Sequence, residues 1–228
     1  MKKQITISLI FLGLLTFSCE KHDDQTADHS YDLQTHISIQ ENTSLVSNLF
    51  FKTGVTKIIV ETANDESRFF SNTTKPFFLN GDVINMSDYE ICLKGNFLKI
   101  GGIENYRVSM QDGKPYIVTP KFRGLLTDAN DDVLDNTLII LLFYLNELTM
   151  PVELKGDNMV INSQQKGCSF WDTYYVFGVG LSSSTATDKL DSESDEYGME
   201  DCTLIGDADV SCIWGSHGCV ATQAYCCE

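Results

Sequence analysis

Five of the chain's eight cysteines, Cys202, Cys212, Cys219, Cys226 and Cys227, stand in its last 27 residues. A segment that short cannot bury a core of its own, so cross-links would have to supply what packing cannot. Whether those sulfurs are cross-linked depends on the compartment. The first residues bear on that: a basic Met1-Lys2-Lys3 start, an apolar run from Ile5 to Phe17, then Ser18-Cys19. A charged head, a short apolar stretch and a small residue before the cut read as a secretory signal, residues 1–18. The run is shorter than the roughly 20 residues of a membrane span. Export favours disulfides, and Cys168 with the five C-terminal cysteines makes six candidates. Six cysteines allow fifteen pairings, among which the sequence does not choose. Cys226 and Cys227 are adjacent, so each is expected to pair elsewhere. Cys92 is left over and is expected as a buried, inert thiol. Zinc is the rival reading, but the short Cys-x2-Cys spacing of zinc sites is missing.

Leu15-Thr16-Phe17-Ser18-Cys19 resembles the lipobox of bacterial lipoproteins. Phe17 is bulkier than the usual residue, and Leu15 stands four places before the cysteine instead of three. The resemblance implies that Cys19 becomes a lipid-modified N-terminus bearing acyl chains such as palmitate. Several chains would anchor the protein firmly, where one alone binds only marginally. The acidic stretch after Cys19 looks like the signals that send some Gram-negative lipoproteins to the outer face of the outer membrane. The expected partner is thus the membrane, reached through the anchor, together with an envelope protein or glycan.

Sixteen basic against thirty-two acidic residues give a net charge of −16, and removing residues 1–18 takes two lysines and no acids, leaving −18. Nucleic acid is excluded as a partner, because phosphate contacts need clustered Lys and Arg. Residues 19–43 are polar and without apolar period, a tether. His22, His29 and His36 fall seven apart within it among aspartates, and read as part of a solvated spacer.

From residue 44 to 181 the chain shows short β-branched and aromatic runs bounded by turn signals, including 56–62, 89–94, 97–100, 106–110, 115–119 and 173–181. Asp112-Gly113 between two alternating runs is a strong hairpin signal, and Lys94-Gly95-Asn96 a second. The fold class expected is mostly β, an antiparallel sandwich or meander with a disulfide-rich C-terminal tail at 202–228. Residues 137–145, Thr-Leu-Ile-Ile-Leu-Leu-Phe-Tyr-Leu, are read as a strand, although Asn136 as N-cap would favour a helix. Residues 182–201, dense in acids, are read as a loop.

Three constellations bear on chemistry. Ser216-His217-Gly218-Cys219-Val220 resembles the motif of L,D-transpeptidases, which cross-link peptidoglycan through a cysteine thioester. The resemblance would make Cys219 the nucleophile, with His217 at the motif histidine. Ala221 stands where that family carries Arg, and the other histidines all lie in the tether. A disulfide at Cys219 and nucleophilic attack by it exclude one another. Asp128, Asn130, Asp132 and Asp135 place oxygen ligands as calcium loops do, without the glycine and glutamate of an EF-hand. Trp171, Tyr174, Tyr175 and Phe177 offer either core or a stacking surface, with alternation placing Tyr175, Phe177 and Val179 on one face and Tyr174 and Val176 on the other. The leading expectation is a non-catalytic binding or structural module of the cell envelope. Its alternatives are a cysteine enzyme using Cys219 and His217, and a calcium-dependent adhesion or glycan-binding domain.

Overall fold

Local turn chemistry builds the first sheet. In the computed structural model, which describes residues 46–150, 168–169, 172–214 and 217–227, Asp112 and Gly113 adopt φ of 51° and 73°. They join β7 (Ile103–Gln111) to β8 (Lys114–Val118) as an antiparallel hairpin. Gly95, at φ 55°, turns β5 (Ile91–Lys94) into β6 (Phe97–Ile100). Both are the hairpins the sequence signals. With β1 (Val55–Ala63), β2 (Glu66–Thr73) and β9 (Arg123–Leu125) they form a seven-stranded antiparallel meander, ordered β1-β2-β5-β6-β7-β8-β9. A short helix, α1 (Asn48–Lys52), precedes β1.

The hairpin of β3 (Phe77–Leu79) and β4 (Asp82–Ile84) leaves this meander for a second sheet. There it joins β10 (Thr173–Gly180), β11 (Thr203–Cys212) and β12 (Cys219–Cys226) in the order β11-β12-β10-β3-β4. Every pair is antiparallel except β10 with β3. The protein is mostly β, as the sequence implies. The cysteine-rich segment supplies two full strands of this sheet, and β12 is one of its interior strands, flanked by β10 and β11.

Residues 137–145 correct the strand expectation. They belong to helix α2 (Asn136–Thr149), in which every residue from Leu138 to Leu148 is buried. Asp135, rather than Asn136, is the N-cap, accepting from the Leu138 N–H at 3.0 Å. The helix packs against β6 and β7 on one side. On the other, Phe143 lies 5.9 Å from Phe177 of β10 and 6.5 Å from Phe77 of β3, ring centroid to ring centroid. A helix enclosed by two sheets needs no polar face, and that is why its apolar run shows no helical period. Pro151 follows, and Met150 is already extended at ψ 131°.

The single carboxylate inside this enclosed helix is anchored. Glu147, 0% exposed, accepts from the Ser47 N–H at 3.1 and 3.2 Å and from the Ser47 hydroxyl, while Ser47 caps α1. Burial alone would make that charge costly; these hydrogen bonds offset the cost and fasten α1 to α2.

The acidic segment is also corrected, from loop to helix α3 (Ser183–Glu196). Ser182 and Thr185 form a reciprocal capping box at its start. Its buried positions, Ala186, Leu190 and Glu193, recur at helical spacing and cover the outer face of the second sheet. Contact is close because β10 carries glycine under the helix. A Cβ at Gly178 would stand 2.1 Å from the Ala186 carbonyl oxygen, and one at Gly180 2.7 Å from the Ala186 nitrogen. The side chains of β10 divide as the alternation implies: Phe177 and Val179 face the central core with Tyr175 packed against it, and Val176 faces α3.

Burial of tyrosine hydroxyls, Tyr106 and Tyr144 among them, makes the fold sensitive to alkali. Burial, then the Asp135 carboxylate that accepts its hydroxyl proton, push Tyr106 from 10.0 up to about 12. Burial does the same to Tyr144, also to about 12. A pKa raised on folding means that the native state holds its proton longer, so this stability is complete below pH 10 and is lost as pH rises through about 12. Phenolate absorbance and circular dichroism are expected to change together in that window. A gradual titration centred near the free-tyrosine value of about 10, with the fold intact, would show these rings to be unprotected.

Candidate functional site

The six candidate cysteines pair with one another: Cys168 with Cys226, Cys202 with Cys227, and Cys212 with Cys219. The adjacent Cys226 and Cys227 reach different partners, as expected. Cys92 is fully buried, but it is disulfide-bonded and not the inert thiol expected of it.

Cys212 and Cys219 face each other at the closed end of the β11–β12 hairpin, their Cα atoms 4.0 Å apart. The Ile213 N–H donates to the Gly218 carbonyl at 2.8 Å inside the loop they close. Trp214 turns back in the left-handed region at φ 55°, and its ring lies against Gly218, where a Cβ would stand 2.8 Å from it. The glycine of the Ser-His-Gly-Cys-Val string thus admits a tryptophan ring. Cys219, 1% exposed, has its sulfur committed to Cys212, which removes the nucleophile the cysteine-enzyme reading needs. His217 is half-buried in the same loop, while Ser216 lies outside the described residues.

Leu126, whose side chain lies 3.5 Å from where a Gly218 Cβ would stand, leads from this hairpin to the neighbouring segment between β9 and α2. There an open cavity of about 460 Å³ is lined by Lys121, Phe122, Asp128, Ala129, Asn130, Asp132 and Val133. Its walls are set by local hydrogen bonds. The Thr119 hydroxyl accepts from the N–H groups of Lys121 and Phe122 at 3.2 and 3.0 Å, and the Thr119 N–H donates to the Phe122 carbonyl at 2.8 Å. Asp131 accepts from the Leu181 N–H at 2.7 Å, fixing the segment to the end of β10.

Three of the four calcium candidates, Asp128, Asn130 and Asp132, line this cavity; Asp135 does not. Both Asp135 oxygens serve the fold, one capping α2 and the other accepting from Tyr106. The Asn130 amide donates to Asp132 at 3.3 Å, and Asp128 accepts from Thr127 at 3.1 Å. Among the described residues no three His, Cys, Asp or Glu side chains cluster so as to hold a metal ion. Lys121 and Phe122, to which no sequence motif points, are the cavity's cation and aromatic ring.

On the outer face of the second sheet Tyr174 lies under the Lys75 ammonium at 4.2 Å and 6.2 Å from Phe78, which packs on Tyr197 at 4.3 Å. Burial lowers Lys75 from 10.5 to about 8, against the pull of Asp172. Trp171, grouped with these aromatics, lies outside the described residues, as do Cys19 and the histidines of the tether.

The cavity joins one aromatic ring, ammonium and amide donors and carboxylate acceptors on a hydrogen-bonded frame. Such a set can hold a neutral polar molecule through stacking and hydrogen bonds, with no covalent step. No family model, no curated protein and no solved structure matches this chain.

Proposed function

We propose that the chain is an exported, lipid-anchored binding module of the cell envelope, acting without catalysis, with its ligand seated between Lys121–Phe122 and Asp128–Val133. The observation that carries the binding reading is the cavity, whose volume of about 460 Å³ falls in the range of roughly 300–1,000 Å³ typical of small-molecule sites. Its mixture of donors and acceptors suits hydroxyl groups, which both donate and accept, and the Phe122 ring suits the apolar face of a sugar. The net charge of −16 opposes anionic ligands. Three disulfides around the second sheet support export, and the lipobox-like Leu15–Cys19 supports tethering at the outer membrane with the domain facing outward.

The ligand test is thermal melting of the mature chain with a panel of neutral mono- and disaccharides. A ligand present at 100 times its Kd stabilises by about 2.7 kcal/mol, a shift that Phe122→Ala should abolish. A panel without effect, or a shift that Phe122→Ala retains, removes the cavity from the proposal. Intact mass tests the anchor: Cys92 is disulfide-bonded and the six candidate cysteines pair among themselves, so an intramolecular partner for it would have to be Cys19, and one sulfur cannot hold both a lipid thioether and a disulfide. Expected is a lipid mass on Cys19 and release from membranes on Cys19→Ala. A leader still attached, or a disulfide found at Cys19, overturns it.

A further inference from the structure

Strand β11 buries almost nothing: nine of its ten residues are exposed and Ile205 is only half-buried. Leu204 and Val210 stand 61% and 40% open to solvent on an edge of the second sheet. Apolar burial therefore does not hold it in place. Cross-links frame it instead, with Cys202–Cys227 just before its first residue and Cys212–Cys219 at its last. A strand fixed at both ends, outside the core, presents its free edge ready-made.

The register identifies the free groups. Ile213 and Gly218 are hydrogen-bonded opposite one another, so alternation along an antiparallel pair makes Cys212 with Cys219 and Val210 with Ala221 non-hydrogen-bonded. The N–H and C=O of Val210 and Cys212 consequently point away from β12. Beyond the irregularity between Ile205 and Asp209, the same alternation read on β12 turns Leu204 outward.

Charge selects the occupant. From Met199 to Cys212 the chain carries Glu200, Asp201, Asp207 and Asp209 and no Lys or Arg, and all four acids are exposed. Lys52 reaches Asp209 at 2.7 Å from the inner side, which offsets one charge. Like charges disfavour a second copy pairing edge to edge, a known use of charge on edge strands, and the same field favours an opposite charge. We infer that β11 is a docking edge for an extended, basic segment of another protein, which adds to the second sheet as a further strand beyond Leu204 and Val210. This inference is independent of the cavity.

The test uses the mature protein and a ten-residue peptide alternating Lys with Val. Expected is binding that weakens with salt, absent for the Glu–Val counterpart. Val210→Pro removes an outward N–H while sparing the ladder to β12, and should weaken binding about tenfold, with Val210→Thr as the control. Equal binding by Val210→Pro and the natural protein would mean charge attraction without strand addition and would overturn the inference. So would a peptide that does not bind, or a dimer that Val210→Pro dissolves. If Val210→Pro misfolds, the Lys–Val peptide N-methylated at every amide gives the same reading on the natural protein, because neither of its edges can then donate: lost binding upholds strand addition, and unchanged binding refutes it.

Discussion

Gly178→Ala is expected to destabilise the domain by more than about 3 kcal/mol, beyond the range of an ordinary overpacked core. The added methyl would meet the Ala186 carbonyl oxygen at 2.1 Å, the Leu190 nitrogen at 2.3 Å and the Leu190 Cα at 2.8 Å. All three are helix backbone, so no side chain can swing aside and α3 must lift from β10. Lifting it exposes Val176, Ala186, Leu190 and Ala221 together. Denaturant unfolding of the purified variant measures the loss. Gly113→Ala, where nothing lies within 4 Å but φ is 73°, separates backbone strain from collision and should cost only about 1 kcal/mol. Equal losses at the two positions would mean that the helix does not press on the strand.

The second large effect is the unequal worth of the three bridges. Cys168–Cys226 spans 58 residues, Cys202–Cys227 25 and Cys212–Cys219 7. In the chain-entropy description, removing them as Ala pairs costs about 4, 3.5 and 2.5 kcal/mol respectively, because longer loops restrict the unfolded chain more. Unfolding of each double variant under oxidising conditions gives the order. If the seven-residue bridge proved the costliest, native packing of the Trp214 loop would outweigh loop closure.

The legible parts of the fold were those dictated by neighbours in sequence. Asp112-Gly113 sets its hairpin through its own backbone, and the alternation of β10 separates its faces without help. Helix α2 was illegible because its environment, a sheet on either side, erases the polar face that would have shown its period; the clue lay in Asp135, two residues before the apolar run. Helix α3 was hidden by its acids, for only Ala186 and Leu190 mark the buried stripe in apolar residues, and the third member is Glu193. Glu193 is tolerated there because the Gly81 N–H donates to it at 2.8 Å, although burial still pushes its carboxyl above the usual range. Six of the bridging cysteines were legible as a set from their crowding and the expected export while Cys92 was not, and pairing depends on strand register, which no spacing reveals. Of the cavity, Asp128, Asn130 and Asp132 were visible as oxygen donors, whereas Lys121 and Phe122 acquire meaning only when the Thr119 turn sets them opposite.

The second sheet has a temporal consequence. Its strands are drawn from residue 77 to residue 226, and β12 lies between β10 and β11, both of which precede it along the chain. A polypeptide emerging from its N-terminus can finish the meander early, but β11 has no neighbour to join until residues 219–226 arrive. Pairings between such distant residues are slow to form. If the chain is exported unfolded, as proposed, that delay would keep the second sheet open until passage is nearly done, and oxidation would then lock the latecomer in.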